Sequence, residues 1–184
     1  MRSEERRLAW GITGSGHYLR ESLQLIDELE DVDVFLSRAG AEVLNMYGYP
    51  LRALRERMRI FSDTTASAAP VGLFYHGHYH TVVVAPATSN TVAKMVCGIS
   101  DTLVTNIFAQ AGKCRIPAIV FACDSEPVLE TEAPKGQVMV YPREIDLAST
   151  DRLRGFEATT VVTTPDELRK AVHERMACLN ASCS

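Results

Sequence analysis

TVVVAPATSNTVAKMVCGISDTLVTN, residues 81–106, is the stretch on which the reading of the fold turns. Thr81 to Val84 are four β-branched residues in a row, the composition of a buried strand. Ala85-Pro86 is read as its end, because proline has no N–H to give a ladder. The small polar cluster Thr88-Ser89-Asn90-Thr91 then leads into Val92, Met95, Val96 and Ile99, one apolar face of a helix. A helix starting there aims its unpaired N–H groups and positive dipole end back at the strand's carboxyl end. In open α/β sheets that crevice is where ligands bind, so the run is one wall of a ligand site.

Upstream, residues 8–12 (LAWGI) read as a first strand running into Thr13-Gly14-Ser15-Gly16. A helix over 17–29 follows, with Leu19, Leu23, Ile26 and Leu29 on one face. Val32 to Leu36 is a second strand, stopped by Ser37-Arg38-Ala39-Gly40, and a helix takes 39–47 before Gly48-Tyr49-Pro50 breaks it. Residues 51–59 (LRALRERMR) are a basic amphipathic segment, and 62–70 read as a loop. Downstream, Gly98 ends or bends the helix, Ser100-Asp101 offers a new N-cap, and Gly112 closes a second helical stretch. Ile116 to Ala122, Val138 to Tyr141 and Thr160 to Val162 read as strands, with a Pro/Glu-rich loop over 124–136 and a polar connector after 141. Thr164-Pro165-Asp166-Glu167 starts a last helix, ending near Cys178. Alternating strands and helices predict one α/β domain over 1–184, a parallel sheet with helices on both faces.

Composition removes several classes of function. The chain has 184 residues, 46% hydrophobic and 23% charged, normal for a packed core. A net charge of −4 without a basic stripe argues against nucleic acid and anionic membranes, and 7% aromatics argues against a base-stacking platform. No apolar run approaches a membrane span, and MRSEERRLAWGITGSG is not a signal peptide, so a cytoplasmic location is expected. Five scattered cysteines without CxxC point to reduced thiols, with Cys97 and Cys123 as small core residues. No P-loop, G-x-S-x-G or HExxH is present.

Three constellations carry chemistry. Gly11-Ile12-Thr13-Gly14-Ser15-Gly16 brings backbone close to a ligand, but Leu19 stands where the dinucleotide fingerprint needs its third glycine. Ser37-Arg38 follows the second strand, where an NAD site would place Asp or Glu. Ser plus Arg suits a phosphate instead, that of a mononucleotide or the 2′-phosphate of NADP. Ser89 and Asn90 offer donors and an acceptor to a flat heteroaromatic edge. A fourth run, Tyr75-His76-Gly77-His78-Tyr79-His80, alternates histidines without carboxylate or cysteine companions. A metal is therefore not expected there; His76 or His78 is a candidate proton donor, as is His17.

Together, GITGSG at 11–16, Ser37, and APATSNTVAKMVCGISDTLVTN at 85–106 resemble the homo-oligomeric flavin-containing Cys-decarboxylase superfamily. The resemblance implies a three-layer Rossmann-like, flavodoxin-like sheet that binds FMN. It would place Thr13, Gly14, Ser15 and Ser37 on the phosphate and ribityl chain, with Gly16 completing the loop. Pro86, Ala87, Thr88, Asn90, Thr91 and Lys94 would line the flavin ring. It also implies a homo-oligomer, built from trimers into larger shells. The histidine that the superfamily's decarboxylases carry ahead of the motif falls on Gly72, and IPAIVFACDSEPVLETE holds no Pro-x-Met-Asn-x-x-Met-Trp clamp. The chain resembles instead the archaeal-type flavoprotein branch that includes dihydromethanopterin reductases. That branch implies reduction of a pterin with electrons from an external donor, NAD(P)H or a redox protein. Alternatives are an FMN-dependent decarboxylase or prenyltransferase, an NADP-binding dehydrogenase, or a flavin electron carrier without catalysis.

Overall fold

The computed structural model describes residues 6–63 and 68–182. The start of the N-terminal charged run, the middle of the polar stretch 62–70 and Cys183 lie outside the described residues. Six parallel strands form one sheet: β1 (Arg7–Ile12), β2 (Val32–Leu36), β3 (Arg59–Ser62), β4 (Tyr79–Ala87), β5 (Ala118–Ala122) and β8 (Thr159–Val162). The remaining two strands, β6 (Leu129–Ala133) and β7 (Gly136–Val140), pair antiparallel as a separate hairpin. The sheet order is β3-β2-β1-β4-β5-β8, so the order reverses between β1 and β4. The parallel α/β expectation holds for the sheet, and the hairpin is an addition to it.

The inner strands β2, β4 and β5 bury both faces, which is why they are predominantly apolar. One face packs Leu8, Trp10, Ile12, Leu36, Val83 and Phe121 against helices α1 (Leu19–Asp27), α2 (Arg38–Met46), α3 (Leu51–Arg55) and α8 (Pro165–Ser182). The other packs Ala9, Phe35, Val82, Val84 and Val120 against α4 (Ala68–Gly72), α5 (Ser89–Val96), α6 (Leu103–Lys113) and α7 (Glu144–Arg154). Full burial of a large apolar side chain is worth roughly 1.5–3 kcal/mol, and Trp10, Phe35 and Phe121 are each fully buried. Trp10 also satisfies its indole N–H, donating to the Ala85 carbonyl at 2.7 Å.

Several expectations are corrected. Strand β4 runs through Pro86 to Ala87 with a register shift against β5 after Val84, so proline is carried as an irregularity inside the strand. The basic segment 51–59 is a short helix, α3, followed by the start of edge strand β3. Ile99, placed on the apolar face of α5, lies past that helix's end and is 46% exposed. The cap of α6 is Thr102, whose side chain accepts from the Thr105 N–H while Thr105 accepts from Thr102; Ser100-Asp101 is not the cap. Gly112 sits inside α6, which ends at Lys113. The 124–136 loop contains β6, and the polar connector contains α7. Cys97 is exposed, because Gly98 (φ +70) turns the chain out at the end of α5; Cys123 is buried as expected.

Candidate functional site

The reversal of strand order opens a crevice at the carboxyl ends of β1 and β4, the position at which doubly wound sheets bind ligands. Thr13, 2% exposed, ties its two walls together. Its hydroxyl donates to the Pro86 carbonyl at 2.8 Å and accepts from the Thr88 N–H at 2.9 Å. Its own N–H also donates to Pro86.

Above this floor lies a cleft of about 460 Å³. Three helices begin at its rim. Helix α2 starts at Ser37, whose hydroxyl accepts from the Gly40 N–H at 2.9 Å. Helix α5 starts at Thr88, whose hydroxyl accepts from the Thr91 N–H. Helix α6 starts at Thr102, and the Asp63 carboxylate accepts the Leu103 N–H at 3.2 Å. Three positive dipole ends therefore meet at one cleft. Two cations, Arg38 and Lys94, and two carboxylates, Asp63 and Asp101, line the cleft as well. Arg38 is anchored by its Nε on the Asp63 carbonyl at 3.1 Å, and Lys94 reaches Asp101 at 2.8 Å. Lys94 holds the Asp101 carboxyl below its ordinary range, first through this hydrogen bond, so the pair stays charged near neutrality. Asp63 takes the first N–H of α6 and Asp101 takes Lys94, so the starts of α2 and α5 with Arg38 are the part that suits an anion, with room alongside for a flat organic group.

Glycine is needed where backbone passes side chains. A Cβ on Gly14 would stand 2.6 Å from the Ala39 Cβ, closing the gap between the β1–α1 loop and the start of α2. A Cβ on Gly16 would lie 2.1 Å from the Tyr47 hydroxyl.

Of the residues expected in the site, Thr13, Gly14, Ser37, Thr88, Asn90, Thr91 and Lys94 meet in this cleft. Pro86 and Ala87 are buried strand residues, forming the floor rather than an open surface. Ser15 and Gly16 turn away: the Ser15 hydroxyl donates to the His17 carbonyl, and Gly16 lines a neighbouring cavity. The histidine expectation is corrected. His76 and His78 precede β4 at its amino end, and the His78 carbonyl receives the N–H of Arg7 at the start of β1. The nine residues of β4 make eight steps from Tyr79 to Ala87, about 26 Å at roughly 3.3 Å per step, so neither reaches this chain's own cleft. His17 lies closer to it, next to the glycine loop; burial lowers its pKa, with Asp124 and Glu21 opposing. Cys123, behind the loop, has its thiol pushed up to about 12 by burial, which leaves it unreactive.

Sequence reasoning missed Asp63 and Thr102 as site residues. Asp63 follows β3 just as Thr13 follows β1 and Ser37 follows β2, a parallel that the unrecognised strand concealed.

Fold and site together define a doubly wound α/β protein built to hold a phosphorylated ligand at its switch point. The chain belongs to the Flavoprotein family, whose model matches residues 1–182. It is 54% identical to Burkholderia xenovorans DmrB, solved in complex with FMN and described as a cubic protein cage for redox transfer. The similarity covers 98% of this chain and 99% of that one, with a TM-score of 0.90. An uncharacterized Methanocaldococcus jannaschii protein is 34% identical over 175 residues, 90% of this chain and 94% of that protein. A dihydromethanopterin reductase (acceptor) of Methanosarcina mazei is 40% identical over 142 residues, 70% of this chain. The match takes in 59% of that reductase, so this chain answers to less than two thirds of its length.

Proposed function

We propose that the chain is an FMN-dependent oxidoreductase that reduces dihydromethanopterin to tetrahydromethanopterin. The observation that carries this is the cleft at the β1/β4 switch point, where three helix N-termini and two cations converge in a fold that matches an FMN-bound protein. Gly14 supports the fit, since any side chain there would close the gap beside α2.

In this reading Ser37, Arg38 and the first turn of α2 hold the phosphate, and Thr13 and Gly14 flank the ribityl chain. Thr88, Asn90, Thr91 and Lys94 face the ring, where amide and hydroxyl groups match its alternating donors and acceptors. Bound flavin would supply hydride transfer, taking electrons from an external donor, NAD(P)H or a redox protein. The chain's own part is to orient and to tune. The Lys94–Asp101 pair sets the local charge, and the hydrogen bonds of Thr13 fix the spacing of the two walls. We read the chain as one domain of a cytoplasmic homo-oligomer assembled from trimers, and the likeness to a protein described as a cubic cage supports a larger assembly. Among the described residues no helix is long and apolar enough to cross a membrane.

The test is the absorbance spectrum of purified protein, followed by anaerobic reduction and exposure to dihydropterins. Reoxidation by dihydromethanopterin but not dihydrofolate is expected. Protein that is colourless and takes up no FMN refutes the proposal. Bound flavin that never reoxidises with a pterin leaves an electron carrier in its place.

A further inference from the structure

The β6–β7 hairpin stands apart from the rest of the fold. Its strands pair only with each other, and neither core cluster takes a residue from them. A two-stranded hairpin alone is marginally stable in water, so it needs something to pack against. Two ties hold this one to the body. The Tyr47 hydroxyl donates to the Glu132 carbonyl at 2.8 Å, and Arg20 reaches the Glu132 carboxylate at 3.3 Å. Both ties fall on β6, which leaves β7 as the outer strand, with Gly136 to Met139 exposed.

An exposed strand edge offers a row of unpaired N–H and C=O groups, and proteins guard such edges with charges or proline. The edges of the main sheet are guarded in this way. On β3, Arg59 lies over the Phe61 ring and Arg55 donates to the Ser62 hydroxyl at 3.0 Å. On β8, Arg154 donates to the Val161 carbonyl at 3.4 Å. Strand β7 reads GQVMV, without a charge or a proline; Pro134 and Lys135 stand in the turn before it. Apolar side chains gather on the same arm. Among the described residues, most of the exposed large apolar side chains lie in one short stretch: Val128, Val138, Met139, Tyr141 and Ile145. Val138 and Met139 point to opposite faces of the hairpin, so covering one face would leave the other bare. A further strand laid along the edge of β7 extends both faces at once and pairs the open backbone groups.

We infer that β7 pairs antiparallel, edge to edge, with β7 of a second copy of this chain across a twofold axis. A strand that meets its own copy must tolerate itself, and GQVMV brings no like charges together. A cube has twofold axes, so a cubic cage has a place for such a contact. The inference rests on the homo-oligomer reading above and adds the surface at which copies meet. A five-residue strand is about 17 Å long, far short of the roughly 800 Å² per partner that a free-standing complex buries. The contact therefore works as one of several that close a shell, and not as a dimer by itself.

The test compares the full chain with the double variant Val138→Lys, Met139→Lys, which places like charges along the paired edges. Light scattering is expected to give the parent a mass of several chains and the variant a mass at least roughly twofold smaller, with circular dichroism unchanged. Hydrogen exchange gives a second readout. Amides of 136–140, relative to the unfolded chain, are expected to exchange at least about tenfold more slowly in the parent than in the variant, the size of one lost backbone hydrogen bond. An unchanged mass in the variant overturns the inference. Unprotected β7 amides in an assembled parent overturn it without any variant, so the result stands even where the variant misfolds. A monomeric parent would instead sink the homo-oligomer reading itself.

Discussion

Replacing Arg38 with Gln separates phosphate recognition from ring recognition. Arg38 stands at the start of α2, with its Nε fixed on the Asp63 carbonyl at 3.1 Å, so its outer nitrogens are presented to the cleft. A hydrogen bond to a charged group contributes about 1.5–3 kcal/mol. Arg38 is exposed, and solvent screening moves the expectation to the low end. A loss of about 1.4 kcal/mol is tenfold in Kd, so Arg38→Gln is expected to weaken FMN about tenfold. Riboflavin has the same ring without the phosphate, and its affinity should not change. Titration of apoprotein with each flavin, followed by quenching of flavin fluorescence, measures both. Salt gives a second readout. The screening length shrinks from about 30 Å at 0.01 M to about 8 Å at 0.15 M, so the gap between parent and variant for FMN narrows as salt is added. An equal loss for riboflavin and FMN, or no loss for FMN, would refute the placement of the phosphate at α2.

Other perturbations test the frame around the cleft. Gly14→Ala puts a Cβ 2.6 Å from the Ala39 Cβ; overpacking of this kind costs about 1–3 kcal/mol, and both Tm and FMN loading should fall. Asp33 is fully buried between Arg7 at 2.8 Å and the Tyr79 hydroxyl at 2.8 Å, so Asp33→Ala should cost about 3–5 kcal/mol in urea unfolding, against about 1 kcal/mol for Tyr79→Phe. His80 is pushed down to about 4, first by burial and then by the nearby charges of Arg175 and Arg6. Its folded pKa lies below the unfolded value of about 6.5, so the unfolded chain takes up a proton first and stability is lost as pH falls from about 6.5 towards 4. His80→Gln should flatten that part of the stability profile in urea melts across the range.

The strands that bury both faces were plain from residue type alone. Ala118 to Ala122 is a continuous apolar run, and Val32 to Leu36 is apolar apart from the paired Asp33, because helices cover both sides of the sheet. Edge elements were less legible. Strand β3 begins at Arg59 with an exposed side chain and follows a helix-like repeat of Leu and Arg, so nothing in its period announces a strand. Helix α7 buries Asp146, Ser149 and Thr150 beside Leu153, a polar face without an apolar period. The hairpin strand β6 reads LETEA, and its glutamates resemble a solvated loop until β7 pairs with it. The site was legible where it depended on caps and turns: Thr13, Ser37 and Thr88 each end a strand or open a helix in the expected place. The histidines misled, because strand alternation says which face a residue takes and nothing about which end of the sheet it occupies.

The glycine loop acquires its meaning from the three-dimensional arrangement. A dinucleotide loop uses its third glycine to bring the following helix close to the strand and its N-terminus onto a pyrophosphate. Here that position is Leu19, 1% exposed, and α1 starts there behind Tyr18 in a left-handed conformation with no side-chain cap. The start of α1 lines the neighbouring cavity, not the cleft. In the proposed reading the phosphate is drawn instead to the starts of α2 and α5, at Ser37 and Thr88, while Asp63 takes the first N–H of α6. That geometry favours one phosphate group at a single focus, while the space beyond Gly16, although the start of α1 borders it, is lined by Glu21, Glu130 and Glu132, whose carboxylates oppose a second phosphate. A mononucleotide is the ligand such a site holds, and NADP would lack a seat for its pyrophosphate. Competition binding makes the distinction: FMN should displace a fluorescent flavin from the apoprotein at concentrations where NADP does not, and displacement by NADP with comparable affinity would undo this reasoning.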